Sequence, residues 1–184
     1  VRAFHRRRIA TRFRAIVLDG IIIKRKTGTG SIKRPVLVAL GIRYDGKKEI
    51  IDFRLAKSES AAEWRTFLTD LYHRGLTDCE IICADGGMGL ISILPEVYPN
   101  IPLQRCWAHK MRNILDKVPK MKQKSVKRGL IKIYTAQNLT EAQKYARRWT
   151  HTWFDQYPKA VKCLRDDLED LLTCFQFSDG DFRK

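Results

Sequence analysis

The sequence predicts an α/β fold, a mixed sheet flanked by helices and followed by an all-α segment, on three observations. Between Arg14 and Ala56, three apolar, β-branched runs are separated only by short turns. From Ser58 to Arg105, helical and strand periodicities alternate. Beyond Pro119 only the helical period remains.

The elements follow in order. Residues 1–13 are basic with little periodicity and read as a linker or the end of an upstream element. A strand runs from Ile16 to about Lys24, and "RKTGTGSIKR" reads as a turn rich in Gly, Thr and basic residues. "PVLVALGIRY" is a second strand, "DGKK" a tight turn and "EIIDFRLA" a third strand, so that short connections imply an antiparallel meander. Ser58 or Ser60 then caps a helix with Trp64, Phe67, Leu68, Leu71 and Tyr72 at helical spacing, closed by Gly75. "CEIICADGG" is a fourth strand ending in Asp85, "GLISILPEVYP" a short helix interrupted near Pro95, "IPLQRC" a fifth strand, and "WAHKMRNILDKV" opens a helix. Three further helices are expected in 119–184, the last over "KAVKCLRDDLEDLLTCF". On the second of these, Trp149, Trp153, Phe154 and Tyr157 share one face, as helix-packing core does.

The order β1-β2-β3-α-β4-α-β5 is that of the ribonuclease H-like fold. On that order 14–118 reads as the first part of such a core and 119–184 as the all-α segment that follows it. In that fold the first and fourth strands are neighbours at the centre of the sheet.

The composition narrows the partner. The chain has 184 residues and a net charge of +16, with 44% hydrophobic residues, so it holds a real core and favours a polyanion, nucleic acid first. A membrane partner is not expected, since no apolar run approaches the roughly 18 residues of a spanning helix. Cys79, Cys83, Cys106, Cys163 and Cys174 follow no disulfide framework and read as free thiols of a reducing compartment.

Asp19, in "RAIVLDGIIIKRK", is the residue that points to chemistry. An ionised carboxylate taken out of water is costly unless it is paired, metal-bound or at a strand end beside a site. The pair Asp19-Gly20 also fits a hairpin turn, although Ile21, Ile22 and Ile23 resume the strand pattern at once. If the first and fourth strands are neighbours, Asp19 and Asp85 are too. Two such carboxylates suit Mg²⁺, a hard ion that takes oxygen ligands. A pair of these ions about 3.5–4 Å apart stabilises the attacking and leaving oxygens of an in-line displacement at phosphorus.

The stretches "LDG", "LGIRYDGKKEIIDFRLAKSESAAEWRTFLTDLYHRGL", "ICADGGMGL", "YPNIPLQRCWAHKMRNIL" and "WFDQYPKAVKCL" together resemble the catalytic core of Mutator-type transposases, a group that includes many bacterial insertion-sequence enzymes. The resemblance covers nearly the whole chain from about Ala15. It implies a DDE active site with Asp19 and Asp85 as its first two acidic residues, Mg²⁺ as cofactor with Mn²⁺ as substitute, and DNA, both element ends and target, as partner. It further implies a homo-oligomer of the full-length protein on DNA in the bacterial cytoplasm. The third acidic residue is expected beyond Lys184, so the chain alone is expected to be inactive; Asp166, Asp167, Glu169 and Asp170 read as a polar helix face.

Cys106 and His109 match the family's Cys-x-x-His pair, and Arg112 and Asn113 fall in its "H-K-x-R-N" stretch. A zinc site is poorly supported, because four ligands are normal. The pair reads either as a thiol and imidazole supporting the site or, for His109, as a phosphate contact. Arg105, Lys110 and Arg112 around it, and Lys120, Lys124 and Arg128 beyond it, are candidate DNA-backbone contacts. Three functions compete: a transposase core that hydrolyses and joins DNA strands, a ribonuclease H-like nuclease, and a transposase-derived DNA-binding protein without catalysis.

Overall fold

The structure, a computed structural model, describes residues 2–28 and 30–177. The end of the expected helical segment, 178–184, lies outside the described residues. The chain divides into two compact units, Val1–Leu103 and Gln104–Lys184.

The sheet has strand order β3-β2-β1-β4-β5, and β1 to β4 belong to the first unit. β1 (Ala15–Thr27) pairs antiparallel with β2 (Gly30–Ile42), which pairs antiparallel with β3 (Lys48–Leu55). β4 (Ile81–Ala84) runs parallel to β1, and β5 (Leu103–Arg105) follows it at the edge. Antiparallel meander, central β1–β4 pair and intervening helices together are the ribonuclease H-like arrangement expected from the order of elements. The β1–β2 ladder is longer than local signals suggest, continuing to Thr27↔Gly30. Cross-strand pairing there overrides the turn-forming tendency of the basic Gly/Thr stretch.

Alternation along the strands sends Ile16, Leu18, Leu37, Ala39 and Ile82 into a core with Trp64, Phe67, Leu68 and Leu71 of α1 (Ala61–His73) and Leu90 and Ile93 of α2 (Met88–Val97). Ser60 is the N-cap of α1, its hydroxyl accepting the Glu63 N–H at 3.4 Å. α2 runs through Pro95 to Val97 instead of stopping at it. Between Ala39 and Leu40 the β2–β3 register slips by one residue, so Ile51 and Asp52 are both buried although adjacent. Ile51 enters the core, while Asp52 meets Arg74 and the Nδ1 of His5, the latter at 2.6 Å. The segment before β1 is thereby packed onto this unit, with Ile9 N–H donating to Arg74 O at 2.7 Å.

The second unit is helical: α3 (Trp107–Leu115), α4 (Lys120–Tyr134), α5 (Leu139–Trp153), α6 (Pro158–Arg165) and α7 (Leu168–Leu171), ending in a 3-10 turn at Thr173–Gln176. Its core joins Ile114, Val126, Leu130, Ile133, Trp149 and Leu164. The expected aromatic stripe divides: Trp149 is buried, Trp153 and Tyr157 stack with centroids 5.6 Å apart, and Phe154 is exposed. The last expected helix breaks after Arg165, because Asp167 turns inward to two cations described below. Gln104 pins the end of the unit, donating to Leu171 O at 2.9 Å and accepting the Cys174 N–H at 2.8 Å. Among the described residues, no helix is long and apolar enough to cross a membrane.

Candidate active site

The last matched pair of the parallel β1–β4 ladder is Leu18↔Ala84, and the next residue on each chain is Asp19 and Asp85. Neighbouring strands lie about 4.8 Å apart, so both residues follow directly from one paired position of the sheet. Asp19 remains within β1, opposite Val38, and Gly20 continues the ladder opposite Leu37. The Asp-Gly pair is therefore strand and not turn. Leu18 is buried and Asp19 half-buried, as expected for successive residues on opposite faces of the sheet.

Asp85 leaves its strand and is held by the backbone that follows. Its Oδ1 accepts the N–H groups of Gly86 at 2.6 Å and Gly87 at 2.9 Å. Gly86 has φ 147, a conformation that a side chain would resist. "DGG" is thus a device for fixing one carboxylate oxygen.

A third carboxylate stands beside these two. Glu59, the residue before the N-cap of α1, lies so close over Gly20 that a Cβ at Gly20 would come within 2.7 Å of its carboxyl group. Its backbone is fixed from the other direction, where a Cβ on Gly89 would stand 2.3 Å from Glu59 O. Burial first, then the charges of Asp85 and Asp19, hold the Glu59 carboxyl above its ordinary range. No sequence signal marked this residue. It sits in the polar run "AKSESAAEW", where an acidic residue near a helix start reads as favourable to the helix dipole.

In the helical unit, Arg105 and Lys110 converge on Asp167, Arg105 at 2.9 Å. Lys110 is buried and also donates to Cys163 O at 3.0 Å. Burial opposes ionisation of Asp167, but the hydrogen bond from Lys110 and the Arg105 charge outweigh it and hold its carboxyl below the usual range. These two cations therefore tie the end of β5 and α3 to the segment around α6 and α7. Cys106 is the N-cap of α3, and Cys106 and His109 are both half-buried. Arg112, Asn113, Lys120, Lys124 and Arg128 are exposed.

A family profile described as "Transposase, Mutator family" matches residues 1–184. The chain belongs to the Mutator family of transposases. Curated members with similar sequences include the transposase for insertion sequence element IS6120 of Mycolicibacterium smegmatis, 34% identical over 96% of this chain and 54% of that one. Another is the transposase for insertion sequence element ISRM5 of Rhizobium meliloti, 31% identical over 96% of this chain and 44% of that one. The chain spans about half the length of these relatives. Among solved structures, the catalytic core domain of HTLV-2 integrase in complex with magnesium is 14% identical, with a TM-score of 0.34 over 72% of this chain and 92% of that one. The fold is read from strand order and register, not from that likeness.

In this Mutator-family chain the carboxylates of Asp19 and Asp85 are oxygen donors of the kind that hard divalent cations take. Among the described residues, no group of three or more His, Cys, Asp or Glu side chains is placed to hold a metal ion. An ion taken up by Asp19 and Asp85 would fill the rest of its shell with water and substrate oxygens, which is ordinary for Mg²⁺.

Proposed function

We propose that this segment is the catalytic core of a DNA transposase that hydrolyses phosphodiester bonds at the ends of its element and joins the freed 3′-hydroxyl to target DNA. One observation supports the reading: in a Mutator-family chain, the parallel β1–β4 ladder at the centre of a ribonuclease H-like sheet ends at Leu18↔Ala84, one residue before Asp19 and Asp85. In this reading the two side chains hold Mg²⁺, with Mn²⁺ as substitute. When bound, the metal supplies charge stabilisation of the attacking and leaving oxygens at phosphorus. Gly86 and Gly87 hold Oδ1 of Asp85, so the orientation of its carboxylate is set before a ligand arrives. Asp19 is fixed by the ladder on both sides of β1 up to Leu18 and by β2 beyond it. The excess of Lys and Arg supplies attraction to the DNA backbone. Self-association of the full-length protein on DNA belongs to the same proposal.

The test is Asp19→Asn and Asp85→Asn, each in the full-length protein, assayed for cleavage and strand joining on element-end DNA and separately for DNA binding. Both variants are expected to lose cleavage and joining while keeping most of their DNA affinity, because carboxylates hold the metal and cations hold the backbone. Wild-type turnover with Mg²⁺ in either variant refutes the assignment.

A further inference from the structure

The helices α4 and α5 form a hairpin joined by residues 135–138. They approach closely because Gly129 has no side chain: a Cβ there would stand 2.5 Å from Cδ1 of Trp149. The Trp149 indole N–H donates to Val126 O at 3.1 Å, which locks the ring across the gap. Above this indole opens a cleft of about 300 Å³. Arg128 and Lys132 enter it from α4 and Arg148 from α5, with the Ser125 hydroxyl beside them. No Asp or Glu lines it, and among the described residues none of the three cations forms an ion pair.

What sets these three apart is that they line one cleft without an acidic residue. Arg105 and Lys110, by contrast, share the Asp167 carboxylate, and Lys162 pairs with Asp166 at 2.8 Å. Three unpaired positive charges facing one another over an apolar floor repel, and the repulsion is relieved by an anion. The shape of the charged surface decides which anion. Lys120, Lys124, Arg128 and Lys132 stand four residues apart and are all exposed, so they make one row along α4. Each step is about 6 Å and the whole row about 18 Å. A row of that length fits a chain of phosphates and far exceeds a single one.

We propose that the α4–α5 cleft binds successive backbone phosphates of duplex DNA, with Arg128, Lys132 and Arg148 as its contacts and the Lys120–Lys124 end of the row as its continuation. The assignment rests on the reading of the chain as a transposase core. It adds the place where the helical unit holds the duplex, a role that neither Asp19 nor Asp85 supplies.

The test uses the 184-residue chain and a labelled duplex of arbitrary sequence, with affinity measured across a sodium chloride series. Arg128→Ala/Lys132→Ala/Arg148→Ala is compared with Lys159→Ala/Lys162→Ala/Arg165→Ala, which removes the same charge from exposed positions of α6. Each phosphate contact contributes about 0.9 to the log–log salt slope, so the cleft variant is expected to lose about 2.7 units of slope while the α6 variant keeps nearly all of it. Arg128→Lys/Arg148→Lys, which preserves charge, is expected to retain the slope, and circular dichroism confirms folding of each variant. Equal loss in the cleft and α6 variants would mean diffuse attraction and overturn the proposal, as would a cleft variant that binds like wild type. Absence of salt-dependent binding by the wild-type chain would instead defeat the DNA reading itself.

Discussion

The Glu59 carboxyl group occupies the space that a side chain on Gly20 would need, 2.7 Å from the position of its Cβ. Gly20 directly follows Asp19, so the glycine admits a third acidic group beside the Asp19–Asp85 pair.

Gly20→Ala and Gly89→Ala should therefore behave differently. At Gly20 the obstacle is the far end of a flexible side chain, which swings aside, so a cost below about 1 kcal/mol is expected. At Gly89 the obstacles are the backbone atoms Glu59 O at 2.3 Å and Ala61 N at 2.9 Å, and a cost of about 1–3 kcal/mol is expected. Urea unfolding of both variants checks the ranking; equal costs would show that Glu59 is as rigidly held as the backbone.

Removing the charge of Glu59 should stabilise the metal-free chain. Its carboxyl is raised by burial and by Asp85 and Asp19, so the ionised form is disfavoured in the folded state. That penalty is absent below the ordinary carboxylate range and grows as pH rises through the folded value. Glu59→Gln is expected to raise the Tm at neutral pH by about 1–3 °C without divalent ions. It should also shrink the further rise produced by Mg²⁺ or Mn²⁺. Differential scanning calorimetry with and without each ion measures both effects, and a lower metal-free Tm in the variant would contradict the expectation.

Asp52 should contribute stability of the opposite pH sense. Burial opposes its ionisation most, yet hydrogen bonds from Arg74, His5 and the Phe53 N–H together hold it below its ordinary value of 3.8. The contribution is complete above that value and is lost as pH falls through the lower folded one. Asp52→Asn is expected to cost about 3 kcal/mol at neutral pH, since it leaves the largely covered Arg74 side chain with Asp70 as its remaining carboxylate partner. In a pH series of denaturation curves, the gap between wild type and variant should close in the acid limb and not in the alkaline one.

Asp167→Asn separates a structural from a DNA-contacting role for Arg105 and Lys110. Both cations lose their shared partner, and Lys110 is buried, so a loss of about 3 kcal/mol is expected in the helical unit. DNA affinity should not fall, because no cation is removed. A large drop in affinity with unchanged stability would mean that these residues face DNA after all.

What the sequence revealed follows from what each feature depends on. The strands and most helices were legible because their periodicity is local, and the β1–β4 pairing, which runs to Leu18↔Ala84, followed from strand order. Glu59 was not legible, because its place over Gly20 is set by the packing of α1 and α2. The break between α6 and α7 has no local signal for a related reason: Asp167 is drawn to Lys110 and Arg105, which are far away in sequence. The β1–β2 ladder exceeds its local signal because pairing between strands outweighs the turn-forming residues themselves.

That long ladder has a cost for handling the protein. β4 accompanies β1 only from Ala15 to Leu18, and β3 accompanies β2 only from Val36 onward, so past Ile21 the hairpin extends as a two-stranded ribbon. On it Ile21, Ile22, Ile23 and Ile32 are each about half-exposed, and its outer backbone edges invite strands from other molecules. Lys24, Lys26, Lys33 and Arg34, interleaved with those isoleucines and exposed, keep such ribbons apart by like-charge repulsion. Concentrated stocks should therefore stay clear at low ionic strength and turn cloudy as salt screens the repulsion, so the conditions that release DNA are also those that favour edge-to-edge aggregation.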